Sequence, residues 1–219
     1  DNGTKVRLKA TNLNVDNTQK IERFVHINFD GEIIKNKRTV TFSFKDEDKI
    51  VIKNKHIYVN DCPLTINQSK MFFNAEASRE KGYRLTVYAK RFFISDVIKL
   101  LKTNVVENNI DDVLIFLKRI NGDFDFSVTL TKNDITGNIK LNKLSSKLTA
   151  LANMPFTLSQ GNIQITKNNL ILKDFKGFYD NKPSNEFSFN GTVADYMKTV
   201  DTNIDMTALL TNDFVGKYL

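Results

Sequence analysis

The sequence predicts a mainly β protein: a curved antiparallel meander sheet forming an apolar groove, made of two repeated β-rich units with a short helical pair inserted. Three observations predict it. Apolar and polar residues alternate over most of the chain, the pattern of a strand with one greasy and one wet face. The alternating stretches are short and are separated by Asn, Asp, Gly and Pro, the residues that turns need. A set of intervals also recurs 113 residues later: Ile50, Ile52, Ile57, Val59 and Asp61 match Ile163, Ile165, Leu170, Leu172 and Asp174, a longer period than solenoid repeats show. A closed β-sandwich or barrel is the alternative that fits the same pattern.

Taken in order, Val6, Leu8, Ala10, Leu13 and Val15 make the first strand. Ile27 and Phe29 lead to Asp30-Gly31, which reads as a hairpin turn, and Val40, Phe42 and Phe44 return from it. Further strands are expected at 49–53, 56–60, 63–67, 70–78 and 82–90. At Ser95 the period changes to that of a helix, 95–102, with Ser95 as N-cap, Asp96 in the first turn, and Val97, Ile98, Leu100 and Leu101 in a stripe. A second helix, 110–120, carries Ile110, Val113, Leu114 and Leu117 on one side, opens on Asp111 and Asp112 and closes on Lys118 and Arg119. Residues 1–120 thus form the first unit and 121–219 the second.

The second unit resumes with Phe124, Phe126, Val128 and Leu130 against Asp123, Asp125, Ser127 and Thr129, followed by Ile135, Gly137, Ile139 and Leu141. Ile163 and Ile165 turn through Lys167-Asn168-Asn169 into Leu170 and Leu172. A second turn, Asp180 to Ser184, leads to Phe187, Phe189, Gly191 and Val193, then to Ile204, Met206 and a helix starting near Asn212. The repeat extends to Phe73-Asn74-Ala75 against Phe189-Asn190-Gly191.

The net charge is +7, carried by Lys along strands and turns, a solvated face before it is a nucleic-acid surface. A basic nucleic-acid-binding module is a third reading; it requires steeply salt-dependent binding. There are seventeen Phe and no Trp, and the Phe mostly sit inward in strands instead of interleaving with Lys as base-stacking platforms would. Cys62, the single cysteine, cannot form an internal disulfide, and with His26 and His56 it makes no zinc-ligand cluster. No apolar run reaches the length of a membrane span.

Motifs for nucleotide, phosphate, metal or nucleophilic chemistry are absent from the sequence. His26 reads as a strand residue and His56 as a turn neighbour. The paired carboxylates Asp123/Asp125 and Asp46/Glu47/Asp48 fall on wet faces or in turns, where solvation keeps carboxylates ordinary. We therefore expect no enzyme and no cofactor.

From about Arg84 onward the sequence resembles the AsmA-like family of Gram-negative cell-envelope proteins, related in architecture to bridge-like lipid-transfer proteins. The residues that carry the resemblance are TVYAKRFFISDVIKLL, ITGNIKLNKLSSKL and MPFTLSQGNIQITKNNLILKDFKGFYDNKPSNEFSFNGTV followed by Ala194-Asp195. Gly161-Asn162-Ile163, Leu170 to Leu172, Gly177 and Gly191 echo the family's strand pattern. The resemblance implies a periplasmic protein, anchored in the inner membrane by a segment outside this chain and meeting a membrane surface. It also implies a curved sheet that conducts phospholipid or another acyl-chain lipid between membranes, with further β-repeats possible beyond residue 219.

The expected groove lining is Ile50, Ile52, Ile57, Val59, Phe73, Leu85, Val87, Phe124, Phe126, Val128, Leu130, Ile163, Ile165, Leu170, Leu172, Phe187, Phe189, Ile204 and Met206. Each methylene of a lipid tail buried there contributes about 0.8 kcal/mol, so a continuous trough suffices without specific contacts. The competing expectation is a structural or interaction domain in which these residues pack on one another and leave no ligand space.

Overall fold

In the computed structural model, residues 5–16, 22–35, 38–45, 50–103, 120–148, 153–196 and 201–218 are described. Thirteen strands and two helices follow one another among them: β1 (Lys5–Asp16), β2 (Glu22–Lys35), β3 (Arg38–Lys45), β4 (Ile50–Lys53), β5 (His56–Ile66), β6 (Ser69–Ser78), β7 (Gly82–Phe93) and α1 (Ile94–Thr103). Then come β8 (Asn121–Thr131), β9 (Ile135–Leu148), β10 (Met154–Ile165), β11 (Asn169–Tyr179), β12 (Glu186–Ala194), β13 (Asp201–Ala208) and α2 (Asn212–Tyr218).

Apart from β3 and β4, strands consecutive in the chain pair antiparallel, through short connections everywhere except between β7 and β8, where α1 intervenes. β3 and β4 share one layer, because β2 pairs with β3 through Asn28–Lys35 and with β4 through Glu22–Val25, and β5 pairs with both from the other side. The sheet therefore has twelve layers. Its outer strands β1 and β13 do not pair with each other, so it is an open meander and not a barrel. β7 pairs with β8, so the sheet runs unbroken across residues 120–121.

Register carries one apolar face through all twelve layers. Leu8 lies opposite Gly31, Phe29 opposite Phe44, and Phe44 opposite Leu64. The row continues through Leu64/Met71, Met71/Ala89, Ala89/Phe126, Phe126/Ile139, Ile139/Ile163, Ile163/Leu172, Leu172/Gly191 and Gly191/Ile204. Cross-strand partners share a face, so the two-residue period of the sequence becomes one uninterrupted apolar surface.

Bulges recur along the sheet, and three of them share one construction. β5, β7 and β11 each insert an extra residue, between Val59 and Cys62, Ala89 and Phe92, and Leu172 and Phe175. At each, one residue turns left-handed: Asp61 (φ 47°), Arg91 (φ 56°) and Asp174 (φ 55°). Its N–H is then caught by a side chain of the next strand, Asn74 Oδ1, Asp125 Oδ1 at 2.9 Å and Asn190 Oδ1 at 2.7 Å respectively. A bulge bends its strand and sharpens the local twist, and bulges repeated across a sheet curve it. Asp61/Asn74 and Asp174/Asn190 are the repeat-related residues, so the recurring intervals encode the same bulge twice.

Two expected boundaries differ. Asp30-Gly31 is not a turn but lies inside β2, where a Cβ on Gly31 would sit 2.3 Å from the Phe42 ring; the glycine makes room for an aromatic ring on the next strand. The stretches 56–60 and 63–67 are one strand, β5, bent at Asp61. Lys53-Asn54-Lys55 is a tight hairpin as expected, with Asn54 and Lys55 both at positive φ.

Gly161 repeats the aromatic contact: a Cβ there would approach the Phe175 ring to 2.7 Å, and that ring is buried and stacked 4.5 Å from Phe189. Gly161→Ala is therefore expected to destabilise by about 1–3 kcal/mol through overpacking. Chemical denaturation checks this, and Phe175→Leu should recover part of the loss in the double variant.

The helices lie on the apolar side. α1 approaches β2, β3, β7 and β8 and buries Ile94 and Ile98 against Leu141, Leu144 and Phe175. It starts at Ile94, so Ser95 is inside the first turn instead of capping it, and the Phe93 N–H is satisfied by Ser69 Oγ at 3.0 Å. α2 packs Phe214 on Tyr179 and Met154, and Thr211 caps it through the Phe214 N–H. The helix expected at 110–120 lies outside the described residues except for Ile120, which is buried against α1.

Candidate functional site

Between α1 and α2, over the apolar face of β8 to β13, lies an open cavity of about 600 Å³, within the range of small-molecule sites. Ile94 and Val97 of α1 form one wall, Phe214 of α2 the opposite one. The floor is Phe124, Ile139, Leu141, Leu144, Leu158, Ile163, Phe187, Phe189 and Met206, and Tyr179 and Met154 close one end. Ser145 and Ser146 of β9 also border it. The lining includes no charged side chain, so it offers contact area and no ionic anchor.

Of the residues expected to line a groove, Phe124, Ile163, Phe187, Phe189 and Met206 do border this cavity. Ile204 and Met206, on the outer strand, are 50% and 63% exposed. The others share the apolar face but not the cavity. Ile50, Val59 and Phe73 pack with Phe44 and Cys62 in a separate core under β2 to β6, and Leu172 packs against the α1 cluster. Leu85, Val87, Phe126, Val128, Leu130, Ile165, Leu170 and Ile52 are half-buried on the same face, and Ile57 is exposed.

Sequence reasoning missed Leu144, Met154, Phe156 and Leu158. In β9 the alternation Ile139, Leu141 jumps to Leu144, because the register shifts beside Asn142; a strict two-residue count loses the face there. In β10 the alternation of Phe156 and Leu158 before Gly161 was the available signal.

The opposite face is polar, and its carboxylates are held by neighbours. Asp125 accepts from Asn142 Nδ2 at 2.9 Å and from the Arg91 N–H. Those bonds, the Asn142 one foremost, hold its carboxyl below the usual range, helped by Lys140 and Lys90. The expectation of an ordinary carboxylate fails at this position because the Asn142 side chain, and after it the N–H of the bulged Arg91, donate to it. Its stabilisation is present above the unfolded carboxylate pKa and is lost as pH falls through the lowered folded value. His56 begins β5, with Nδ1 2.9 Å from Asn54 O and its ring stacked near Tyr58, an ordinary turn contact. Asp123 receives Asn142 Nδ2 and Arg91. His26 lies in β2. Cys62 is buried in the apolar face.

Tyr88 stacks on Phe72 at 5.4 Å and donates its hydroxyl to Asp61 Oδ1. That bond, then burial and the Asp61 charge, push its pKa up to about 12. The raised value favours the protonated phenol, so its stabilising contribution is complete below about pH 10 and is lost as pH rises through about 12. Ultraviolet titration is expected to show a late tyrosinate step that Tyr88→Phe removes; an unchanged titration in the variant would contradict the Asp61 contact.

Among the described residues no helix is long and apolar enough to cross a membrane, and no cluster of His, Cys, Asp or Glu could hold a metal ion. No protein-family model matches the chain, and no curated protein and no solved structure matches it significantly.

Proposed function

We propose that this chain binds acyl-chain lipid, phospholipid foremost, along its apolar face, as a segment of a lipid-carrying groove of the AsmA-like kind in a cell envelope. The observation that carries the reading is the open cavity of about 600 Å³ walled by apolar side chains of six strands and two helices. A protein of this size ordinarily closes such a surface over itself; here α1 and α2 flank it instead. Tails would lie in the trough, each buried methylene contributing about 0.8 kcal/mol. Headgroups would stay in water near the Lys-bearing strand ends. The resemblance in the sequence supports the same reading and supplies its periplasmic, membrane-facing setting. No reaction is assigned to the chain.

The test is mass spectrometry of lipid extracted from protein purified without detergent, together with uptake of a fluorescent fatty acid by delipidated protein. Co-purified acyl lipid and saturable uptake are expected. Protein that is lipid-free and takes up none of the probe would mean that the face serves as a plain core, and the proposal would be wrong.

A further inference from the structure

Antiparallel pairing puts the turns β4–β5, β6–β7, β8–β9 and β10–β11 at one end of the sheet, away from α1 and α2. Each carries exposed cations at or beside its tip: Lys53 and Lys55, then Arg79 and Lys81, then Lys132, then Lys167. Glu80 and Asp134 are the carboxylates of the same turns. Neighbouring strands lie about 4.8 Å apart, so successive turns follow one another at about 10 Å. The positive charge therefore forms a row along the sheet instead of a single cluster.

Two further features belong to this end. Between the β6–β7 and β8–β9 turns a cleft of about 270 Å³ is lined by Lys81, Arg84 and Lys132, with Tyr83, Asn133 and Glu76. Glu76 stands opposite Arg84 in register, yet none of the three cations is in an ion pair among the described residues. Three cations against one carboxylate make the cleft favourable to an anion. On the apolar face, Ile57, Ala77 and Tyr83 form one cross-strand row at the last rungs before the turns. Ile57 is 45% and Tyr83 52% exposed; both stand apart from the other exposed large apolar side chains, which lie along β13 and α2.

A row of cations with exposed apolar and tyrosyl side chains beside it has the polarity of a membrane boundary, where cations meet anionic headgroups and tyrosine sits at headgroup level. A single-stranded nucleic acid needs rings interleaved with the cations as stacking platforms, and residues 53–55, 79–81, 132–134 and 166–168 include no aromatic. A free phosphate would engage the cleft and leave the cations of the other turns without a role.

We propose that this end of the sheet docks on an anionic lipid bilayer. Lys81, Arg84 and Lys132 hold a headgroup phosphate in the cleft, the other turn cations lie over neighbouring headgroups, and Ile57 and Tyr83 enter the headgroup layer. This docking rests on the membrane-facing part of the reading above and needs no lipid in the cavity.

Cosedimentation of the full chain with vesicles tests it. Binding is expected to phosphatidylcholine vesicles containing about one-third phosphatidylglycerol, to be at least about tenfold weaker to pure phosphatidylcholine, and to weaken as salt rises. A cation near an anionic surface contributes about fivefold in affinity, so the triple variant Lys81→Gln, Arg84→Gln, Lys132→Gln should lose about 100-fold. The triple variant Lys90→Gln, Lys140→Gln, Lys176→Gln takes the same charge from exposed strand positions away from these turns and should stay within about threefold. The protein has no Trp, so Tyr83→Trp adds a single reporter, whose emission should shift to the blue on anionic vesicles. Equal losses in the two triple variants, an unmoved emission in protein that pellets with vesicles, equal binding to neutral vesicles, or no binding would each overturn the docking. Equally tight binding of single-stranded DNA, lost in the first triple variant, would assign the row to nucleic acid instead. Protein that takes up fatty acid but ignores vesicles would keep the cavity reading and lose this one, and the converse result would do the opposite.

Discussion

Ile163→Asp and Met206→Asp are each expected to weaken acyl-chain binding more than about 100-fold while the protein remains folded. Both side chains border the cavity; Met206 is largely exposed and Ile163 half-exposed, so a carboxylate at either site stays hydrated in the empty protein. A bound tail would strip that water, and an unpaired desolvated charge costs several kcal/mol, against 1.4 kcal/mol for each factor of ten in affinity. Phe126 and Ile165 share the face but lie outside the cavity, so the same change there should affect binding less and stability more. Fluorescent fatty acid titration with thermal melts of each variant separates the cases. Unfolding of both cavity variants, or undiminished uptake, would argue for a closed core.

Asp96→Ala is expected to cost about 3 kcal/mol or more of stability. Asp96 is 1% exposed, and its Oδ2 accepts from Ser69 Oγ at 2.7 Å, Ser69 N at 3.0 Å and Gln68 N at 3.2 Å. Lys99 Nζ stands 3.6 Å from the other oxygen. The carboxylate thus ties α1 to the β5–β6 turn, and that turn is tied in its own right to Thr41 of β3 through Asn67. Removing it leaves buried donors without an acceptor, at about 1–3 kcal/mol each. Asp96→Asn keeps one acceptor oxygen and should lose less than half as much. Denaturant midpoints decide; a loss under about 1 kcal/mol in the alanine variant would show that the turn re-forms its bonds elsewhere.

The faces of the strands were legible in the sequence because side-chain alternation is a local property: Phe124, Phe126, Val128 and Leu130 fall together in the structure as they do on paper. The helix start near Asn212 was legible from the repeat, Asn212-Asp213-Phe214-Val215 standing where Ser95-Asp96-Val97-Ile98 stand in the first copy. The boundaries failed where a tertiary contact decided them. Gly31 has the chemistry of a turn residue, and only Phe42 lying across it reveals the strand. Asp61 makes one strand read as two, because its left-handed backbone, stabilised by Asn74 thirteen residues away, breaks the alternation inside β5. The cavity was half legible. Its floor follows from alternation, whereas its walls depend on α1 and α2 settling over particular strands, and nothing in a helical stripe says which strands those are.

The order of the sheet also governs how the molecule comes apart. A strand in this meander is bonded only to its immediate neighbours, so the sheet is close to a one-dimensional chain of links, each opening at its own free energy. α1 departs from that rule, touching β2 and β3 as well as β7 and β8 and binding the middle layers into one cooperative block. The terminal strands have one neighbour each. Amide exchange should accordingly be slowest in β3 to β8 and quicken layer by layer toward β13, making the far end of the cavity floor the first part of the molecule to open.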